Sequence, residues 1–185
     1  MQKHDLAEWV ELYASDMFNW AYHKVGNEEQ AKDLVQDTFL AAAEKIESFR
    51  GDSNPKTWLI SILNFKIIDV YRQKAKMPMS SNSGVSFFNE EGSWLESKKP
   101  QSWDTDDTSL LDDPDFQIVL KKCMDALPEK WHACMKLKYL MSKSGKEICQ
   151  DLDITATNLW QIMHRAKLNL RECINNNWYQ IEQSL

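Results

Sequence analysis

Glycine and proline are scarce in this chain, five of each in 185 residues. The two strongest chain-turning residues are therefore rare, and no stretch alternates apolar and polar residues for the length of a strand. Long apolar runs are missing too. None approaches the roughly 20 residues that span a bilayer, so no membrane insertion is expected. Met1 to Glu11 is polar and amphipathic and lacks the apolar centre of an export signal, which points to a cytoplasmic protein. The cysteines, Cys123, Cys134, Cys149 and Cys173, do not form the close pairs that zinc sites favour. No metal and no cofactor are expected, and in a reducing cytosol the four thiols are expected to be free. A Gly-rich phosphate loop and a nucleophile–base pair are also lacking, which argues against an enzyme. The formal net charge of −6 argues against a protein that coats nucleic acid non-specifically, but leaves room for local basic faces.

What is present is helical periodicity. Leu6, Trp9, Val10, Tyr13, Met17, Trp20 and Ala21 recur at three- and four-residue steps, behind Asp5 as a possible cap. Gly26-Asn27 breaks this helix, and Asn27 with Gln30 forms a capping-box pattern that starts a second one. The apolar face of the second helix is Ala31, Leu34, Val35, Phe39, Ala42 and Ile46. Ser48 to Asn54 reads as a polar loop, and Pro55 suits the first turn of a third helix. Trp58, Leu59, Ile62, Leu63, Ile67 and Val70 form its buried side, and its far end turns basic with Lys66, Arg72, Lys74 and Lys76.

From about Met77 the periodicity fails. No basic residue lies between Lys99 and Lys121, a stretch that holds Asp104, Asp106, Asp107, Asp112, Asp113 and Asp115. Residues 78–113 read as an acidic linker, flexible or ordered by a partner. Phe87, Phe88, Trp94, Leu95 and Trp103 are unusual in a plain spacer and suggest docking points. A second module begins near Pro114. Its helices run to Ala126, then from Leu127-Pro128 to Leu140. Ser144 with Glu147 is another capping box, Asp153 permits a tight turn, and Thr155 caps a last helix with Leu159, Met163, Ala166 and Leu170 inward. Two helices joined by so short a turn make a helix-turn-helix. The fold class is therefore all-α, two small helical domains joined by a long acidic linker: 1–77, 78–113 and 114–185.

The run Asp33-Leu34-Val35-Gln36-Asp37-Thr38-Phe39-Leu40, then Phe49-Arg50-Gly51-Asp52, Thr57-Trp58-Leu59, Asn64 and Asp69-Val70-Tyr71-Arg72 resembles a known pattern in order and spacing. It is the second conserved region of extracytoplasmic-function sigma factors of bacterial RNA polymerase, in the sigma-70 superfamily. Leu127-Pro128-Glu129, Glu147-Ile148, His164-Arg165-Ala166-Lys167 and Leu170-Arg171-Glu172 resemble the family's fourth region. Each motif alone is weak. Two such modules in the right order around an acidic linker are specific.

The resemblance implies a promoter-specificity subunit that binds core RNA polymerase, recognises minus-ten and minus-thirty-five elements and melts DNA. Asp33, Gln36, Asp37 and Phe39 would meet the clamp helices of the largest polymerase subunits, and the second module the flap. The single-stranded non-template strand of the minus-ten element would lie along Arg50, Asp52, Ser53, Asn54, Asn64, Lys66, Asp69, Tyr71, Arg72, Lys74 and Lys76. The cations there suit phosphates, and Tyr71 either stacks on a base or packs in the core. Trp58 and Leu59 are read as core. Duplex minus-thirty-five DNA would meet Thr155, Thr157, Asn158, Trp160, Gln161, His164 and Arg165, where Asn and Gln suit adenine and Arg suits guanine. Many relatives carry Lys at the position of Trp160 and Arg at that of Ile162, so weaker duplex binding, or a contact of Trp160 with a thymine methyl or a protein, follows. The acidic linker would occupy a nucleic-acid path on polymerase, and an anti-sigma factor is an implied partner. The competing reading is a stand-alone helix-turn-helix regulator that binds duplex operator DNA.

Overall fold

The computed structural model describes residues 6–76, 87, 93–96, 99 and 110–179. Seven α-helices lie among the described residues, and the chain divides into two compact units, the first ending at Gln73 and the second beginning at Lys74. Asp5 and the linker residues Phe88, Trp103, Asp104, Asp106 and Asp107 lie outside the described residues.

In the first unit, α1 (Leu6–Val25) ends at Gly26, whose φ of 73° is the left-handed conformation that a terminating glycine adopts without strain. The Gly26 N–H donates to the Tyr22 carbonyl. Helix α2 (Glu28–Lys45) starts as expected at Asn27, whose side chain accepts from the Gln30 N–H at 2.8 Å. A 3-10 turn, Ile46–Ser48, closes it. Helix α3 (Pro55–Ala75) has proline at its first position. Met17 and Ala21 of α1, Ala31 and Ala42 of α2, and Leu59, Leu63 and Ile67 of α3 are without solvent exposure, so each helix buries one stripe. Small residues on α1 and α2 let the backbones approach closely.

In the second unit, a 3-10 turn at Leu110–Asp112 leads into α4 (Pro114–Asp125), followed by α5 (Glu129–Tyr139), α6 (Gly145–Leu152) and α7 (Ala156–Ile174). The Asp113 carboxylate caps α4 by accepting from the Asp115 and Phe116 N–H groups. Both halves of the Ser144–Glu147 capping box form at α6. Asp153, at φ 53°, takes the left-handed position that ends α6 and turns the chain into α7. A π-turn, Asn175–Tyr179, follows α7 and sets Trp178 edge-on to Phe116, ring centres 5.4 Å apart. Leu110 packs on the Phe116–Cys123–Ile174 cluster, so a residue placed in the linker by sequence belongs to this core. Within the linker itself, Phe87 is buried and meets Trp94 edge-on, and the Leu95 N–H donates to the Phe87 carbonyl.

One expectation is overturned here. Cys123 of α4 and Cys173 of α7 form a disulfide, with Cα atoms 5.7 Å apart and a sequence separation of 50. Nothing in the spacing announces the pair. The packing of α4 against the C-terminal end of α7 brings the two together. Cys134 and Cys149 are free thiols.

Candidate polymerase and nucleic-acid interfaces

Helix α2 separates its faces cleanly. Leu34, Val35 and Thr38 are buried, and the Thr38 hydroxyl donates to the Leu34 carbonyl of its own helix at 2.6 Å. Asp33, Gln36 and Asp37 are exposed on the opposite side. Leu40 continues that ridge one turn on and is 66% exposed, whereas Phe39 is half-buried. The sequence reading placed Phe39, and not Leu40, with this ridge. The 33, 36/37, 40 periodicity was the signal that could have found it. Asp37 lies 4.0 Å from the Lys66 ammonium of α3, a partly exposed pair of small energetic weight.

The loop between α2 and α3 is held from beneath. Phe49 is buried, edge-on to Trp9 at 5.3 Å and 5.0 Å from Trp58, so an aromatic triad anchors the loop while Arg50 to Asn54 face solvent. Gly51 has φ 78°, a conformation in which a side chain would be strained. Asn54 has a structural task as well, since its side-chain oxygen accepts from the Lys56 N–H at 2.9 Å and caps α3. Asp52 and Ser53 stand exposed between them.

The outer face of α3 carries Phe65, Asp69, Arg72 and Lys76 at i, i+4, i+7 and i+11. Asp69 and Arg72 are ion-paired at 2.5 Å. Asn64 sits at the edge of this face, its oxygen accepting from the Trp20 indole N–H at 3.0 Å, and Lys74 is half-buried. Tyr71 does not belong to the face. It is 2% exposed, its hydroxyl donates to the Lys24 carbonyl at 2.7 Å, and burial pushes its pKa up. Of the two roles open to it, the core role is the one the structure fills, and a residue so enclosed is not available to stack on a base. The exposed aromatic is Phe65, at 71%. It was passed over because it falls between the polar Asn64 and Lys66 and outside the buried stripe.

On α7, Leu159, Ile162 and Ala166 are buried and Met163 is half-buried, so the inward stripe differs from the expected one by taking in Ile162. Ile162 is 5% exposed, and an apolar residue there serves packing rather than marking a lost DNA contact. Thr157, Trp160, Gln161, His164 and Arg165 face solvent, while Asn158 is half-buried. The Thr155 side chain accepts from the Asn158 N–H at 3.2 Å and caps the helix, which points its positive end outward. Trp160 is 68% exposed and stacked on His164, ring centres 5.5 Å apart and planes 1° apart. Beside Trp160 an apolar groove of roughly 610 Å³ is bordered by Lys138, Lys146 and Lys167.

Two titratable groups inside the second unit are unusual. His132 is nearly enclosed, its Nε2 has no hydrogen-bond partner, and burial, reinforced by Lys136, pulls its pKa down to about 4 although Asp125 lies 3.7 Å away. Burial likewise lowers the pKa of Lys136, which is 8% exposed. Burial pushes the Cys134 thiol up to about 12, so it stays protonated and serves as core. Among the described residues no cluster of His, Cys, Asp or Glu could hold a metal ion, and no helix is long and apolar enough to cross a membrane.

These features define a class: a two-module helical protein with a helix-turn-helix in its second module and an exposed acidic ridge beside an aromatic and basic face in its first. Residues 9–77 match the family model for Sigma-70 region 2, and residues 117–170 that for Sigma-70, region 4. A Haemophilus influenzae protein described as "Probable RNA polymerase sigma factor" is 32% identical over 166 residues, 87% of this chain and 85% of that protein. The Bacillus subtilis sigma factors YlaC and SigW are each 26% identical, over 86% and 90% of this chain and 86% and 87% of their own lengths. The Bartonella quintana sigma factor RpoE, solved with the anti-sigma factor NepR, aligns with a TM-score of 0.43 and 22% identity over 92% of this chain and 97% of that one. The chain belongs to the sigma-70 family, in its extracytoplasmic-function group, and is a promoter-specificity subunit of RNA polymerase. The stand-alone regulator is set aside.

Proposed function

We propose that the two modules divide the work of initiation, with residues 1–77 taking core polymerase and the minus-ten element, 78–113 forming the tether, and 114–185 taking the polymerase flap and the minus-thirty-five duplex. The observation that carries this reading is the exposed ridge of Asp33, Gln36 and Asp37 on a helix that buries Ala31, Leu34, Val35, Thr38 and Ala42 on its other side. Its carboxylates and amide suit Arg and Gln side chains on polymerase clamp helices. Leu40 adds an apolar contact at the end of that ridge.

Next to it, the Arg50–Asn54 loop and the outer face of α3 offer backbone groups, cations and one exposed aromatic. This combination suits unpaired bases and their phosphates. Phe65 takes the stacking role, while Arg72 and Lys76 meet phosphates. Asn64, Lys66 and Asp69 flank the path, and Lys74 sits further in. The role of the chain is binding and melting, without a catalytic step of its own, in the cytoplasm where polymerase works. A protein of the anti-sigma class would hold it inactive. The acidic tether would follow a positively charged nucleic-acid path on polymerase.

The test is co-elution of the full chain with bacterial core RNA polymerase, beside the double variant Asp33→Lys with Asp37→Lys. Co-elution of the wild type, lost in the variant, is the expected result. Equal co-elution of both would overturn the assignment of the ridge.

A further inference from the structure

We infer that Trp20 of α1 belongs to the minus-ten site, as the positioning residue that sets the Asn64 amide to read a base carbonyl. This inference rests on the reading of the outer face of α3 as the path of the unpaired strand.

By sequence Trp20 falls in the apolar stripe of α1, yet it is 42% exposed. Its indole N–H donates across to α3, to the Asn64 Oδ1 at 3.0 Å, between residues 44 positions apart. Neither group lies in the core. Each would bond to water if the pair parted, so the bond contributes little to stability. What it fixes is direction. A free asparagine amide can turn over and exchange its acceptor for its donors. Turned over here, Asn64 would set Nδ2 against the indole N–H, donor facing donor. One orientation is left, with Oδ1 on the indole and the two N–H donors of Nδ2 on the other side of the amide.

The indole is itself held. The Lys24 ammonium comes from one turn further along α1 and lies 4.8 Å from the centre of the Trp20 ring. The Lys24 carbonyl accepts from the Tyr71 hydroxyl at 2.7 Å, which ties this end of α1 to α3. Ring, amide and both helix backbones thus form one preset unit before any strand arrives. Phe65, next to Asn64 in the chain, is 71% exposed and gives a base a ring to lie on.

The amide then selects among bases. Guanine and thymine present carbonyl acceptors, O6 and O4, where adenine and cytosine present amino donors. A base carbonyl meets Nδ2 and leaves the Trp20 bond as it is. A base amino group has to share the oxygen that the indole N–H already uses. An unconstrained asparagine pairs with adenine through both atoms of its amide. Asn64, as Trp20 holds it, favours a keto base instead.

The test uses holoenzyme formed from the full chain and core RNA polymerase, on promoters randomised through the minus-ten element and scored by sequencing their transcripts. The wild type is expected to prefer guanine or thymine over adenine or cytosine by about fivefold at one position, the size of one neutral hydrogen bond. Trp20→Phe keeps a ring and loses the N–H. It is expected to cut that preference to about twofold or less and to keep the preferences at other positions. Asn64→Ala is expected to lose the same preference, and the double variant to lose no more. Asn64→Asp still accepts from Trp20 but has no donor to offer, so the preference at that position should invert towards adenine or cytosine.

A keto preference that survives Trp20→Phe but not Asn64→Ala would overturn the role of Trp20. So would a Trp20→Phe loss spread evenly over the minus-ten positions, which marks a packing role. The absence of any position at which Asn64→Asp inverts the preference would overturn the reading of the amide. A wild-type chain that forms no holoenzyme would sink the parent reading and this inference with it, whereas the other three outcomes leave the parent reading standing.

Discussion

The two modules carry contrasting outer faces on the same kind of element. The outer face of α3 mixes one exposed aromatic, Phe65, with Arg72 and Lys76. The outer face of α7 sets a stacked Trp160–His164 pair among uncharged polar residues, with lysines at its margin. An unpaired strand offers base faces and phosphates along one line, so an interleaved aromatic and basic face fits it. A duplex hides the base faces and shows only edges and methyls, so a flat apolar area beside amide and hydroxyl groups fits that. The interiors differ too. The first module is held by aliphatic packing and an aromatic triad under its loop. The second adds a cross-link between its first and last helices and encloses a neutral histidine.

That contrast can be broken from the strongest effect downward. Replacing Cys123 with Ser, or reducing the Cys123–Cys173 bond, frees a loop whose ends are separated by 50 positions in sequence. The chain-entropy relation puts the loss at about 4 kcal/mol, confined to the second module. Hydrogen exchange by module should show α4 and α7 losing protection while α1 to α3 keep theirs. An unchanged second module would mean that packing alone holds it. Leu63→Ala should do the converse. It empties a fully buried site in α3 and costs the first module about 3 kcal/mol, read as a lower denaturation midpoint for helices α1 to α3 only.

Acid should separate the modules next. His132 is neutral in the folded second module, with a pKa of about 4 against an ordinary 6.5. Its unfolded form therefore takes up a proton first as pH falls. The stability associated with its neutral burial is complete above about pH 6.5 and is lost progressively towards pH 4. Thermal midpoints measured from pH 7 to 4 should show the second module falling through this window, and His132→Phe should flatten that slope. A slope unchanged in His132→Phe would assign the acid response to another group. The smallest effect is at the α6 cap. Ser144→Ala removes one half of a reciprocal pair and should cost the second module about 1 kcal/mol, seen in a small drop of its thermal midpoint.

Much of the local structure was legible in the residues. Gly26-Asn27, Pro55, the Ser144–Glu147 pair and Thr155 each mark an element end through a hydrogen bond or a backbone angle set within a few residues. The exposed ridge of α2 followed from helical periodicity, because a polar run on a regular helix has one side to go to. Side chains whose role depends on a neighbour far along the chain were not legible. Tyr71 could by sequence either stack on a base or pack in the core, and Lys24, 47 residues earlier, supplies the carbonyl that holds its hydroxyl in the core. Phe65 and Leu40 fall outside the apolar stripes read from the sequence, but only the packing of α3 and α2 fixes how far each is exposed. Ile162 read as a substituted surface position until α7 was seated on its neighbours.

The sequence by itself determined that the chain is all-α, where most helices start and stop, and that it belongs with the sigma factors. Those properties rest on short-range capping and on ordered motifs. Only the tertiary structure decided that Cys123 meets Cys173, that Tyr71 is core, and that Phe65 and Trp160 are among the aromatics left outside. Burial and cross-linking are set by which faces pack together, and that depends on contacts between residues distant in the chain, whose free energies no local pattern encodes.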